Sequence, residues 1–128
     1  MTVVALIPAV LAALVHVYIF VLESVLWTGP RARRIFGTTE EEAQVTRSLA
    51  LNQGFYNLFL AIVTLCGVGG LAAGSDGVGA ALALAGTGSM LAAALVLAVT
   101  SPDKRRAAVT QGLFPLITVV LLLIAVLG

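Results

Sequence analysis

Two ionisable side chains, His16 and Glu23, lie seven residues apart in the first apolar stretch of the chain. Residues at this spacing share one face of an α-helix, so both side chains would project to the same side. An imidazole exchanges a proton near neutral pH, and a carboxylate can accept one or orient a water molecule. The spacing therefore predicts a proton-transfer pair, with His16 and Glu23 as the candidate catalytic residues.

A second polar group interrupts another apolar stretch, in the sequence LNQGFYNLFLA at residues 51–61. Amide side chains need hydrogen-bond partners in hydrocarbon, so we expect them to line a pocket or to join helices. Gln53 and Asn57 share a helical face at a spacing of four residues, and Asn52 and Tyr56 form a pair on its flank. The residues predicted to bind the substrate are Tyr18, Trp27, Asn52, Gln53, Tyr56, Asn57 and Gln111.

These residue types favour proton-transfer chemistry on a small lipophilic molecule, such as isomerisation, cyclisation or epoxide opening. The sequence has no G-x-S-x-G elbow and no glycine-rich phosphate loop, which disfavours acyl and phosphoryl transfer. One histidine and one carboxylate on a single stripe are two ligands short of a mononuclear metal site. We therefore expect neither a metal nor another cofactor.

The elements that carry these residues have the composition of membrane helices. Only 10% of the 128 residues are charged and 60% are hydrophobic, a balance typical of integral membrane proteins. Helices long enough to cross a bilayer are predicted at about residues 3–26, 40–72, 78–100 and 107–127. The second begins outside the bilayer, where Thr39 and Glu42 have the spacing of a capping box. The sequence thus predicts an all-α integral membrane protein, a four-transmembrane-helix bundle forming a single domain over residues 1–128.

The basic residues predict the orientation of this bundle. All seven flank the first and third connections between the predicted spans, namely Arg31, Arg33, Arg34, Arg47, Lys104, Arg105 and Arg106. Short loops rich in Lys and Arg stay on the cytoplasmic side, which places both termini outside the cytoplasm. We expect a multi-pass protein of the cell inner (plasma) membrane. The net charge of +1 argues against nucleic acid as a partner.

Small residues recur every four positions in the third predicted span, at Ala81, Ala85, Ser89 and Ala93. Small side chains let helix backbones approach closely in lipid, either inside the bundle or at a contact between subunits. We expect a homo-oligomer surrounded by the lipid bilayer. Cys66 is the only cysteine, so the chain has no internal disulfide framework.

Three sequence runs together resemble a known family: HVYIFVLE at residues 16–23, NQGFYN at residues 52–57 and QGLFP at residues 111–115. They are similar to the small bacterial four-helix membrane proteins catalogued as domain of unknown function 1304. Members of that family carry His-x-Tyr-Ile-x-x-x-Glu, Asn-Gln-Gly-x-Tyr-Asn and a Gln-Gly near the fourth span. The resemblance covers nearly the whole chain and implies the four-helix membrane fold, but the family name implies no activity.

Two alternatives to a binding protein or enzyme stay open. An oligomeric proton-coupled transporter could use His16 and Glu23 as a proton relay, although the outer half of the predicted bundle is almost entirely apolar and no pair of helices is broken by proline or glycine. In an accessory structural subunit, the polar residues would only fix the helix register. A proton-transfer role predicts that His16→Ala and Glu23→Gln both abolish function.

Overall fold

The computed structural model describes residues 2–128, and four long helices dominate it. Helix α1 spans Thr2–Phe20 and continues into a π-helical turn at Val21–Val25. The remaining helices are α2 at Pro30–Phe36, α3 at Glu40–Val45, α4 at Arg47–Ala72, α5 at Asp76–Thr100 and α6 at Arg105–Leu127, the last preceded by a 3₁₀ turn at Pro102–Lys104. Four helices, α1 with its π turn, α4, α5 and α6, are long and apolar enough to cross a membrane. The predicted all-α fold is confirmed, and so is the presence of four helices long and apolar enough to cross a membrane.

The four long helices pack as a four-cornered bundle. Helix α1 packs against α4 and α6, and α5 packs against the same two helices, so α1 and α5 lie on a diagonal. Residues 73–75 join α4 to α5 and residues 101–104 join α5 to α6. Such short connections make successive helices antiparallel. The end of α1, the start of α4 and the turn before α6 therefore share one end of the bundle, and this end carries all seven basic residues.

Small residues bring α4 and α5 into close contact. A methyl group at Gly67 would overlap the backbone of Ala83, and one at Gly79 would lie 2.5 Å from the backbone nitrogen of Leu71. Close approach of this kind replaces the hydrophobic drive that is missing in lipid. The predicted stripe of small residues on α5 does not take part in this contact, because its members are all exposed: Ala81, Ala85, Ser89 and Ala93. That stripe is therefore not part of the bundle interior.

The connection between α1 and α4 differs from a simple loop. The π turn closes with a hydrogen bond from the Leu26 N–H to the Val21 carbonyl at 2.9 Å. After it, α2 forms one short helix that ends at Gly37, which has the left-handed φ of 69°. The predicted capping box is confirmed, because Thr39 and Glu42 exchange two hydrogen bonds of 3.1 Å.

The helix predicted to run from residue 40 to residue 72 is divided in two. Thr46 has φ −95° and ψ 4°, which depart from α-helical values and separate α3 from α4 by one residue. Its hydroxyl donates to the Glu42 carbonyl at 2.7 Å, a local bond that threonine makes to its own helix. The backbone N–H of Thr46 also donates to the Glu42 carbonyl, at 3.0 Å, so the interruption is confined to this residue.

Candidate functional site

A buried carboxyl joins α1 to α4. Glu23 lies in the π turn and is only 6% exposed. The side-chain amide of Asn57 donates to its Oε1 at 2.6 Å and also reaches the Gln53 carbonyl at 3.2 Å. The structure thus brings two predicted site residues together across the helix contact.

Gly54 allows the π turn to approach α4 this closely. A methyl group at this position would collide with Ser24 Oγ and would lie 3.1 Å from the Cβ atom of Glu23. The Ser24 hydroxyl donates to the Leu51 carbonyl at 2.8 Å, a second hydrogen bond between the same two segments. The position of the Glu23 carboxyl is therefore fixed by packing and by two side-chain hydrogen bonds.

A partly open cleft of about 450 Å³ lies beside this carboxyl, at the end of the bundle that carries the basic residues. Its volume is within the range of small-molecule sites, roughly 300–1,000 Å³. The lining combines one carboxyl, one guanidinium, hydroxyls and apolar side chains: Glu23, Ser24, Val25, Trp27, Thr28, Gln44, Val45, Arg47, Ser48 and Leu51. This mixture suits a small molecule that has both polar and apolar parts.

Trp27 holds the segments around the cleft together. Its indole N–H donates to the Thr46 hydroxyl at 3.1 Å, which ties the end of α1 to the break between α3 and α4. Its ring packs on Phe36 of α2, with the ring centroids 5.1 Å apart. The predicted binding residue thus lines the cleft and also fixes its shape.

His16 lies deeper in the bundle than Glu23. It is 2% exposed, and its Nδ1 is 2.9 Å from the carbonyl of Ala12. At 1.5 Å per residue, the seven residues to Glu23 correspond to about 10 Å along the helix axis. The buried side chains of Ile19 and Leu22 occupy the intervening turns. Among the residues that the structure describes, the lining of the cleft includes Glu23 but not His16, so the predicted catalytic pair is divided between two places.

The core around the middle of the bundle contains further polar residues. Thr64 of α4, Thr87 of α5 and Thr118 of α6 are fully buried, so that each of the four long helices contributes at least one buried polar side chain, with His16 from α1. The Thr87 and Thr118 hydroxyls donate to carbonyls of their own helices, at 2.6 and 2.9 Å. The Thr64 hydroxyl has no hydrogen-bond partner within residues 2–128.

The other predicted binding residues lie outside the cleft. Tyr18 is 42% exposed, and the Arg31 guanidinium sits 5.6 Å from the centre of its ring. Asn52, Gln53 and Tyr56 are exposed on the outer side of α4. The side of this helix that faces the bundle is the one that carries Gly54. Gln111 is half-buried on α6.

Spacing along an ideal α-helix did not identify several residues that line the cleft, including Ser24, Gln44, Arg47 and Ser48. A π turn adds residues to each turn of the helix, so side-chain directions after Phe20 no longer follow α-helical spacing. The break at Thr46 similarly interrupts α-helical spacing between Gln44 and Arg47. Of these four lining residues, only Ser24 had a simple signal in the sequence, namely its position directly after Glu23.

Groups of three metal-ligating side chains are not found among His, Cys, Asp and Glu within residues 2–128. The side chains that line the cleft can themselves do chemistry. A carboxyl held by an amide can accept or donate a proton. The hydroxyls and the indole can bind and orient a ligand.

Comparison with protein families gives a match over most of the chain. Residues 10–123 match the family described as protein of unknown function (DUF1304). Neither the curated proteins nor the solved structures include a match to the chain. The matched residues include Glu23, Asn57 and the whole lining of the cleft. The chain therefore belongs to the DUF1304 family.

Proposed function

We propose that this protein binds a small amphipathic molecule in the cleft beside Glu23, with the carboxyl as the group that exchanges a proton or a hydrogen bond with it. The observation that carries this proposal is the buried Glu23 carboxyl, held by Asn57 at the wall of a cleft of about 450 Å³. Ionisable groups within membrane helices are costly, by about 2.5–3.5 kcal/mol on insertion scales, and commonly mark ligand sites or pathways.

Different side chains of the cleft would contact different parts of the ligand. Asn57 engages Oε1 of Glu23, so Oε2 is the oxygen that we assign to the ligand. Ser48 and Thr28 offer hydroxyls to the polar part of the ligand, and Leu51 offers apolar surface to the rest. If the bound molecule also reacts, the same carboxyl would serve as general acid or base for isomerisation, cyclisation or epoxide opening. His16 does not line the cleft, so any proton transfer by His16 would take place outside it.

We also propose that the cleft faces the cytoplasm. The basic residues at this end of the bundle support that orientation through the positive-inside rule, and both termini would then lie outside the cytoplasm. A molecule could enter from the cytoplasm or from the inner leaflet of the plasma membrane. The protein would be a multi-pass protein of that membrane.

Transport receives less support than binding. Buried polar residues continue from the cleft end as far as His16 and the central threonines. Toward the opposite end, the core cluster consists of Ala5, Leu71, Ala80, Ala83 and Leu122, all apolar. A substrate path through the whole bundle would have to cross this apolar part, whereas a binding site at one end needs no such path.

The experiment is extraction of co-purifying small molecules from the full chain purified in mild detergent. We compare wild type with Ser48→Trp, which fills the cleft from an exposed lining position. Tyr56→Phe is the matched control, because Tyr56 is 67% exposed and lies outside the cleft. A compound enriched with wild type and Tyr56→Phe but absent from Ser48→Trp supports the proposal. If all three proteins yield the same extract, the cleft is not the binding site.

A further inference from the structure

The outer side of α4 carries a stripe of side chains that the cleft does not use. Its members alternate at spacings of three and four residues: Leu49, Asn52, Tyr56, Phe59, Val63 and Cys66. We call these six residues the α4 seam. Leu49 is 70% exposed, Tyr56 67% and Phe59 54%, Asn52 and Cys66 are also exposed, and Val63 is half-buried. The seam therefore faces away from the rest of the bundle.

This spacing is the a and d pattern of a coiled coil. Residues so spaced form one continuous stripe along a helix, and parallel helices in membranes commonly pack along such stripes at a small crossing angle. The opposite face of α4, with Ala50, Gly54, Ala61 and Thr64, is the buried one. Helix α4 thus has two packing faces, of which the fold uses one.

Asn52 places in the seam an amide that needs a hydrogen-bond partner. It lies five residues after Arg47, or about 7 Å into the helix, and Tyr56 lies one turn deeper. Lipid tails offer no hydrogen bonds to an amide, whereas a second Asn52 can both donate to it and accept from it. Asn52 carries the only amide among the six seam residues, and a buried polar residue in a helix interface can fix register and partner. The seam is therefore complementary to itself.

We propose that two copies of this chain pack in parallel along the α4 seam, with their Asn52 side chains hydrogen-bonded to each other. The copies are parallel because both share one orientation in the membrane. From its exposed fractions, and with aromatic side chains of roughly 150–250 Å², the seam offers roughly 500 Å² per chain. Two copies would bury at most about 1,000 Å², which reaches the lower bound for a specific interface. The stripe of small residues on α5, by comparison, carries no group that requires a partner, since its Ser89 hydroxyl already donates to the Ala85 carbonyl.

Cys66 lies at a d position of the seam and reports on this arrangement directly. In bilayers, oxidation of the full chain with copper phenanthroline should link two copies through Cys66 into a disulfide dimer. In a Cys66→Ala background, Ile62→Cys is the matched control, because Ile62 is 47% exposed on the same helix but outside the seam. It should give several-fold less dimer. Equal cross-linking at both positions would indicate random collision and would overturn the proposal, as would preferential cross-linking through Ala85→Cys on α5.

Replacement of Asn52 tests the hydrogen bond. We expect Asn52→Leu to weaken association roughly three- to tenfold, the range expected for one polar contact between membrane helices. Association is measured by energy transfer between labelled copies over a range of lipid-to-protein ratios. Gln53→Leu, the neighbouring exposed amide off the seam, should leave association unchanged. A monomeric wild type, or equal effects of the two substitutions, would contradict the α4 seam as the interface.

Discussion

The side-chain amide of Asn57 lies 2.6 Å from the carboxyl of Glu23 and thereby couples the end of α1 to the middle of α4. The two residues are 34 positions apart in the chain, and the pairing is possible because Gly54 removes the side chain that would otherwise separate the helices. The bond fixes one oxygen of a carboxyl that is almost completely removed from solvent.

Asn57→Leu leaves the buried Glu23 carboxyl without its donor. We expect the free energy of unfolding in detergent micelles to fall by about 1–3 kcal/mol, the usual cost of a buried polar group that loses its partner. Gln53→Leu, one turn earlier and exposed, should change it by less than about 0.5 kcal/mol. If the two substitutions have equal effects, the Glu23–Asn57 bond does not stabilise the fold.

Gly54→Ala tests the close approach of α1 and α4. The added methyl group collides with Ser24, so we expect a loss of about 1–3 kcal/mol in stability from overpacking. Gly69→Ala in the same helix meets no atom within 4 Å and should instead stabilise the protein by up to about 1 kcal/mol, because alanine favours helix. Thermal unfolding of both variants in one detergent gives the comparison. A stabilising Gly54→Ala would show that the helices are farther apart than described.

Thr64→Val should stabilise the protein, an unusual sign for a core substitution. The Thr64 hydroxyl is fully buried against Gly86 and has no hydrogen-bond partner within residues 2–128. Its removal relieves an unsatisfied group, for a gain of about 1 kcal/mol. Thr118→Val is the control, because it removes a hydroxyl that donates to the Phe114 carbonyl and should bring no gain. Equal changes in the two unfolding free energies would refute this explanation.

The four long apolar helices were predictable because hydrophobic length and flanking charge are local properties of the sequence. The capping box at Thr39 and Glu42 was predictable for the same reason. The division of the predicted second helix at Thr46 was not, since a threonine inside a helical pattern gives no clear break signal. The π turn was equally hidden, because nothing in the sequence Val21–Val25 marks an added residue in the turn.

The candidate site was predictable from the polar character of its residues, but not from helix spacing. Glu23 and Asn57 were both selected because polar groups are costly in hydrocarbon, and they meet in the structure. The same criterion selected Asn52 and Tyr56, but the sequence does not show which side of α4 faces the bundle. Gly54 determines that side, because the helix contact forms where no side chain intervenes. Polar character thus identified the residues, and packing decided their roles.

Substitutions of His16 and of Glu23 should have different effects on ligand binding. The cleft is lined by Glu23, while His16 lies about 10 Å deeper along the axis of α1. We therefore expect Glu23→Gln to reduce the amount of co-purifying molecule at least tenfold and His16→Leu to leave it unchanged. Quantitative mass spectrometry of extracts normalised to protein measures both. If His16→Leu causes an equal loss in a folded protein, the two residues act on the ligand together, as their helical spacing suggested.

The most direct measurement of the central claim is the reaction of Glu23 with dicyclohexylcarbodiimide, a small lipophilic reagent that adds to carboxyl groups and converts them to stable acylureas. Peptide mass mapping of the full chain in bilayers locates the modified residue. We predict modification of Glu23 in wild type and in Tyr56→Phe, and its loss in Ser48→Trp, where the cleft is filled. An unmodified Glu23 in wild type, or equal modification with the cleft filled, would contradict a ligand site at this carboxyl.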